Sequence, residues 1–483
     1  MGSLTAQNLG TSLLGLVFQV ALFRLISPVQ YGVFSGIVVA IGIATVCASF
    51  GLNQTVTRFL AMLQQDEAKS WTAARKILHL TLVFAIVTAA IYSMLAPDLS
   101  LYFTKTTDWT AVFLLSGVWL ILSPVSSFSQ GIIQGLRKYT LLAKMLFISK
   151  VVMVTFALVA LYSYHSVSMA IVAWIVYEVI IIAWTFALTE SDFRRHQGQF
   201  DYTIVLRYSY PLGIASIITI IASSADVVVV GGYLNPVSLG AYNAAVIISG
   251  ILTAIFVGPL TTALLPELST SKEDKDISNG LRLALRFIIL AVLPASFLVA
   301  AVPEQLIDLF SGGGTYLAAS SSLELIAFFY LFVAIQTILI VLFQAIGKTI
   351  NAMIVGVVSA TCDIGVSVLL VPKIGLLGAA SAKVSVALVG TVVGFYFARK
   401  YLGMLDKNIF YLKGITATLI PFAVTFALSS YVSIRVISLI PYSMIFGFIY
   451  LACIKSLRLL NDEDKIIISH LLPKFMQRFV NYI

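Results

Sequence analysis

Charge is the scarcest commodity in this chain. Asp, Glu, Lys and Arg make up 11% of its 483 residues, against roughly 25% in an ordinary soluble domain. That shortage excludes a soluble enzyme, a disordered chain and a membrane protein carrying a large soluble domain. Cysteine is scarcer still. Cys47, Cys362 and Cys453 each lie inside an apolar run, and no CxxC pair occurs. Neither a disulfide framework nor a cysteine metal site is indicated. No GxxxxGK[ST] and no HExxH is present, so no ATP site and no zinc-protease site is expected. Ser311-Gly-Gly-Gly-Thr315 lacks the lysine of a phosphate cradle and reads as a turn. The expectation is no metal, no cofactor and no enzymatic activity. A basic n-region is missing too, the first basic residue being Arg24, so the N-terminus reads as a retained span rather than a cleaved signal.

Apolar residues fill the space that charge leaves. They amount to 60% of the chain, 12% being aromatic, and the mean hydropathy is +1.01. Fourteen runs are near or above the ~20 residues a helix needs to cross a bilayer. They fall at 8–26, 33–57, 77–96, 110–133, 141–163, 167–188, 209–231, 239–265, 283–302, 323–345, 352–371, 376–397, 413–432 and 436–455. The gaps between them, such as Glu190–His196 and Ser271–Asp276, are too short to fold a soluble domain. The first outside loop offers no acidic pair for a metal-bound sugar donor, which argues against a membrane glycosyltransferase or polymerase. Asp98 and Asp108 lie in the second outside loop, ten residues apart. After 456 the pattern changes. Leu460, Ile467, Leu471, Phe475 and Phe479 recur at helical spacing among Lys465, Lys474 and Arg478. This reads as an amphipathic interfacial helix on the cytoplasmic face, kinked at Pro473, the alternative being a frayed tail.

Orientation follows from the 30 lysines and arginines, which give the chain a net charge of +9. With the N-terminus in the cytoplasm, twenty-four of them fall on inside loops and the tail. Arg24, Lys105, Lys373 and Arg435 fall outside, and Lys150 and Lys383 lie within spans. A bias of that size over every loop supports both the orientation and the span count. It also makes nucleic acid an unneeded explanation of the basic excess.

Two echoes divide the spans. Ser27-Pro-Val-Gln-Tyr-Gly-Val-Phe34 returns as Asn235-Pro-Val-Ser-Leu-Gly-Ala-Tyr242, and Gln134-Gly-Leu-Arg-Lys138 returns as Gln344-Ala-Ile-Gly-Lys348. Both sit in equivalent inter-span positions, so spans 1–6 repeat as spans 7–12 in the same orientation, with spans 13–14 added. A pseudo-twofold axis along the membrane normal follows. The expected fold is all-α and integral to the membrane: fourteen transmembrane helices in two six-helix bundles plus two C-terminal helices. The expected divisions are 1–207, 208–400, 401–456 and the tail 457–483.

With these motifs in hand, the chain resembles the polysaccharide transporter branch of the multidrug/oligosaccharidyl-lipid/polysaccharide exporter superfamily. The SPxxYGxF loop and its NPxxLGxY echo carry the likeness, with Ser224-Ala-Asp226, Leu309-Phe-Ser-Gly-Gly-Gly-Thr-Tyr316, Gln344-Ala-Ile-Gly-Lys348 and Pro372-Lys-Ile-Gly-Leu-Leu-Gly-Ala-Ala380. The resemblance implies a flippase that moves a polyprenyl-diphosphate-linked oligosaccharide from the cytoplasmic to the outer leaflet by alternating access. It implies a monomer of the cell membrane with both termini in the cytoplasm. Its expected partners are the lipid-linked oligosaccharide, membrane lipids and polysaccharide-assembly proteins. A drug/cation antiporter of the same superfamily is the alternative.

Charges inside spans need a reason, because each costs at least ~2.5–3.5 kcal/mol on insertion scales. Lys150 and Glu178 sit at similar depth on the hairpin of spans 5 and 6, and Asp363 and Lys383 on that of spans 11 and 12. Both pairs read first as structural ion pairs. Arg24, Arg58 and Asp226 have no partner within their own hairpins. Either the arginines snorkel to the interface, or their planar forks bind the diphosphate of a lipid carrier. Gln19, Asn53, Gln54 and Asn243 can hydrogen-bond sugar hydroxyls or bridge helices. By the resemblance, Asp226, Ser359 and Asp363 are coupling or gating candidates. Lys383 at the depth of Asp363 departs from the cation site of some relatives and puts sodium coupling in doubt.

Overall fold

The computed structural model describes residues 2–63, 65–195, 200–252, 256–258, 260–261, 264, 268, 274–312, 316–404, 408–431 and 438–460. For 2–9, 194–195, 222, 252, 402–404, 408 and 430–431 only the backbone is described. All regular structure among these residues is helical. The tail expected to form an interfacial helix lies outside the described residues from 461 onward, as does span 8 for most of its length beyond 252.

Twelve described helices are long and apolar enough to cross a membrane. At the two other positions counted in the sequence, 8–26 and 239–265, the described apolar helices are shorter, Gly10–Leu25 and Pro236–Ile251. Large apolar side chains face outward over these helices, Met94 at 80% exposure and Phe448 at 77% among them. In water that surface would be prohibitive, and in lipid it is the expected coat. The chain is a multi-pass membrane protein.

Two compact units divide the chain, Met1–Gly240 and Ala241–Ile483. The first holds α1 (Gly2–Leu25), α2 (Pro28–Ser49), α3 (Leu52–Met62), α4 (Glu67–Met94), α5 (Ala96–Thr104), α6 (Thr110–Gly135), α7 (Tyr139–Tyr164), α8 (Val167–Arg195), α9 (Tyr202–Tyr233) and the start of α10 (Pro236–Leu252). Here α6 is central, packed by α3, α4 and α8, while α1 packs on α7 and α2 on α9. Leu52, Val56 and Phe59 of α3, Trp71 and Ile77 of α4, Phe128 and Ile132 of α6 and Val205 of α9 form one core cluster.

The second unit continues with α11 (Asp274–Phe287), a π-helical turn (Ile288–Val292), α12 (Leu293–Ala301), α13 (Pro303–Ser311), α14 (Ser320–Ala345), α15 (Thr349–Ile374), α16 (Leu376–Ala398), α17 (Asn408–Tyr431) and α18 (Leu439–Leu457). The π turn has a local cause. Pro294 has no N–H to give the carbonyl four residues back. That carbonyl, of Leu290, instead accepts from the Tyr450 hydroxyl of α18 at 2.9 Å.

Both sequence echoes turn out to be backbone devices. Ser27 caps α2 by accepting from the Gln30 N–H at 3.3 Å, and Asn235 accepts from the Ser238 N–H at 2.8 Å at the start of α10. Pro28 and Pro236 each occupy the first helical position, where a missing N–H costs nothing. In the second echo Arg137 and Gly347 are both left-handed, φ 58° and 73°. Lys138 and Lys348 follow with almost the same torsions, φ −86°, ψ 53° and φ −87°, ψ 52°. The repeat read from the sequence is therefore a repeat of turn geometry.

Candidate functional site

The run 33–57, read from the sequence as one span, is broken in the structure. α2 ends at Ser49, and Phe50 and Gly51 are both left-handed, φ 39° and 72°. A Cβ on Gly51 would stand 2.8 Å from the Leu212 side chain and 3.0 Å from the backbone of α9. Glycine thus supplies both the torsion and the close approach. Restarting the helix at Leu52 re-aims its faces. Leu52, Val56, Phe59 and Leu60 are buried in the core, while Asn53, Gln54, Thr57 and Arg58 line the opposite, open face. Four polar residues on one face of a short helix follow directly from the i, i+4 spacing.

α6 lies against that helix through Gly131-Ile-Ile-Gln-Gly135. A Cβ on Gly131 would meet the Asn53 carbonyl oxygen at 2.6 Å, and one on Gly135 the Leu60 Cβ at 2.7 Å. Small residues four apart bring the two backbones together, as membrane helices commonly do. The Thr57 hydroxyl seals the contact, within hydrogen-bond distance of the Asn53 carbonyl at 3.0 Å and the Gly131 carbonyl at 3.1 Å.

Beside the glycines the two helices border a half-open cavity of about 90 Å³, lined by Asn53, Gln54 and Thr57 of α3 and Ser127, Gln130 and Gln134 of α6. Sequence reasoning named Asn53 and Gln54 but missed the α6 wall. The signal was there: Ser123, Ser127, Gln130 and Gln134 recur at i, i+4, i+7 and i+11 in an apolar span, a polar stripe along one helix face. Among the described residues, none of the four carboxamides hydrogen-bonds another side chain. Uncharged groups with both donors and acceptors therefore stand open to a ligand.

Arg58 adds the charge. Its guanidinium carbon lies 4.1 Å from the centroid of the Tyr208 ring of α9. Tyr208 in turn packs edge-on against Phe59. Stacking fixes the plane of the guanidinium and leaves its N–H edge to pair with oxygen anions.

Other sequence candidates are placed differently. Tyr31, fully buried, donates to Gln19 Oε1 at 3.5 Å, so Gln19 bridges α1 and α2. Arg24 is exposed in the last turn of α1, where a cation suits the helix dipole. Asp226 is fully buried on α9. Asn243 is half-buried on α10, within the second unit.

Lys150 and Glu178 are joined through aromatic rings. The Lys150 ammonium sits 4.1 Å from the Trp174 ring centroid and 5.4 Å from that of Tyr177. Trp174 stacks on Trp119 with centroids 5.2 Å apart, and the Trp119 indole donates to Glu178 Oε1 at 3.3 Å. The ammonium thus rests on ring faces and the carboxylate accepts from an indole N–H, with the stacked tryptophans between them. In the second unit Asp363 and Lys383 are both buried on the closely packed α15 and α16. Ser367 donates to Asp363 Oδ1 at 3.4 Å, and Lys383 lies 5.2 Å from the Phe329 ring centroid. Ser359 accepts from Gln336 Nε2 at 2.9 Å.

Comparison with known proteins adds to this geometry. Residues 21–320 match the polysaccharide biosynthesis protein family. The "Probable low-salt glycan biosynthesis flippase Agl15" of Haloferax volcanii is 21% identical over 407 residues, spanning 82% of this chain and 81% of the relative. The "Uncharacterized membrane protein MJ1068" of Methanocaldococcus jannaschii is 22% identical over 413 residues, spanning 78% and 79%. Among solved structures, the lipid II flippase MurJ in an inward closed conformation superposes with a TM-score of 0.76 at 15% identity, covering 93% of this chain and 97% of that one. An inward-facing multidrug resistance MATE transporter of the MOP superfamily gives 0.62 at 14% identity, covering 82% and 96%. These likenesses show the fold. The family match covers more than half of the sequence, so the chain belongs to the polysaccharide biosynthesis protein family.

Proposed function

We propose that this member of the family is a flippase for a lipid-linked oligosaccharide, a polyprenyl-diphosphate sugar. It carries the head group from the cytoplasmic to the outer leaflet of the cell membrane by alternating access, in a fourteen-span layout with both termini cytoplasmic. One observation carries the reading: the open face of α3 sets a stacked arginine, Arg58, beside a pocket of uncharged carboxamides and hydroxyls. A diphosphate needs a cation that stays charged in a low-dielectric setting, and a glycan needs neutral donors and acceptors. Arg24, at the other end of the membrane, serves as the second phosphate contact, with Asp226 as the gating acid. The similarity to a glycan biosynthesis flippase supports the substrate class.

The antiporter alternative calls for acids at the binding face, and the α3 face has none. The two readings part in one experiment. Full-length protein in proteoliposomes is loaded with a fluorescent prenyl-diphosphate glycan, and separately tested for efflux of a cationic dye. A charge-assisted phosphate contact contributes ~1.5–3 kcal/mol, so Arg58→Ala should slow flipping by about tenfold or more. Unchanged flipping and unchanged polymer export in both Arg58→Ala and Arg24→Ala would refute the site. Proton-driven dye efflux without glycan flipping would refute the flippase reading.

A further inference from the structure

We infer that the α3/α6 pocket is a subsite for an uncharged sugar ring, the one attached directly to the diphosphate, and that Gln130 and Gln134 read it. The inference rests on the flippase reading and assigns that substrate's first sugar a place. The cavity of about 90 Å³ has room for several waters, one water needing roughly 10–15 Å³ of such space. That is too little to enclose a pyranose and enough for the hydroxyls of one ring edge.

The lining is chemically specific. Four carboxamides present two N–H donors and one carbonyl acceptor each, beside two hydroxyls. A sugar hydroxyl needs a donor and an acceptor at once, and carboxamides supply both without charge. Polar groups without partners are costly at membrane depth, and these four, Gln54 exposed and the others half-buried, bond no side chain among the described residues. A ring edge replaces the waters that otherwise would satisfy them. A uronate carboxylate is a poorer fit, since no cation lines the cavity and an unpaired charge is costly to desolvate.

Position ties the pocket to the diphosphate. Thr57 lines the cavity and Arg58 follows it on the same helix. Asn53, at the far side of that face, is five residues from Arg58, or about 7.5 Å along the axis. A phosphate held on Arg58 therefore brings its own sugar, rather than a distal one, to the carboxamides. The floor is the Gly131 contact, which fixes the α6 backbone that carries Gln130 and Gln134 against α3.

The test is equilibrium binding to purified full-length protein in detergent, using farnesyl diphosphate, glucosyl-diphospho-farnesol and glucuronosyl-diphospho-farnesol. The glucosyl probe should bind about tenfold tighter than farnesyl diphosphate, and the glucuronosyl probe should not exceed the bare diphosphate. Gln130→Met with Gln134→Met, near-isosteric and apolar, should bring the glucosyl probe down to the bare value and leave farnesyl diphosphate unchanged. Arg58→Ala should weaken both and preserve their ratio. Should the double variant lose its cooperative thermal transition, the single variants carry the test, each removing part of the ratio. Equal binding of glucosyl and bare probes by the wild type overturns the inference while the flippase reading stands. So does a ratio that survives in the variants, or tighter binding of the uronate. If neither farnesyl diphosphate nor the glucosyl probe binds the wild type, the flippase reading fails and this inference with it.

Discussion

Replacing Gly131 by alanine probes the contact on which the pocket is built. The new Cβ would lie 2.6 Å from the Asn53 carbonyl oxygen and 2.7 Å from Val56 Cγ1. One obstacle is backbone, so α3 itself must move. Overpacking of this kind costs about 1–3 kcal/mol. Loss of the Thr57 bond to the Gly131 carbonyl adds ~0.5–1.5 kcal/mol. Alanine returns about 1 kcal/mol of helix propensity. The balance is a destabilisation of about 1–3 kcal/mol. Gly356 on α15 provides the control, since a Cβ there meets nothing within 4 Å. Gly356→Ala should keep the propensity gain of up to ~1 kcal/mol. Thermal unfolding in one detergent, followed by intrinsic fluorescence, should therefore move in opposite directions for the two variants. If Gly131→Ala unfolds at or above the wild-type temperature, the α3/α6 backbone contact is not tight and the pocket has no rigid floor.

Two further outcomes follow from local geometry. Arg137 is left-handed where its counterpart in the repeat is Gly347. A non-glycine residue there costs ~1–2 kcal/mol and the extra unfolded-state freedom of glycine takes back ~0.5–1 kcal/mol, so Arg137→Gly should raise the thermal midpoint slightly; a lowered midpoint would refute the strain. Asp66 caps α4, pairing with Lys69 Nζ at 2.9 Å and accepting from its N–H at 3.1 Å, and these bonds hold its carboxyl below the usual range. Its contribution is complete above the ordinary carboxylate pKa of ~3.9 and disappears as pH falls through the lower folded value. Asp66→Asn, which keeps an acceptor and cannot titrate, should flatten the thermal midpoint over that acid window, and an unaltered acid limb would refute the assignment.

Most of the helical architecture was legible because lipid imposes one rule on every span. Length and apolarity suffice to find 77–96 or 323–345, and the structure places helices Glu67–Met94 and Ser320–Ala345 there. The break in 33–57 was not legible. Phe50-Gly51 carries no proline, and the close approach that leaves no room for a Cβ at 51 comes from Leu212 and Gly213 of α9, far away in sequence. The π turn was half legible: Pro294 announces a lost hydrogen bond, but only the fold reveals Tyr450 as the substitute donor. Within the site, single charges drew attention because charge is rare. The carboxamides and serines of α6 did not, because each alone is an ordinary residue and only their helical spacing makes a face.

The repeat sharpens that distinction. At the offset of 210 that relates Gln134 to Gln344, Ser127 keeps a hydroxyl partner in Thr337, while the partners of Ser123 and Gln130 are the apolar Val333 and Ile340. Gly131 and Gly135 correspond to Val341 and Ala345. What both halves keep are the Ser/Asn cap with its proline and the left-handed residue before a lysine. Those features solve backbone problems, which are the same wherever a helix starts or a hairpin turns in a membrane. Polar side chains at membrane depth solve no backbone problem and cost stability, so the two that only the first half carries at these positions, Ser123 and Gln130, need a cause outside folding. An asymmetric ligand is such a cause. A diphosphate with a sugar at one end and a lipid at the other requires different chemistry at different places, and Ser123 and Gln130 of α6 are positions where the first half offers a polar side chain and the second an apolar one.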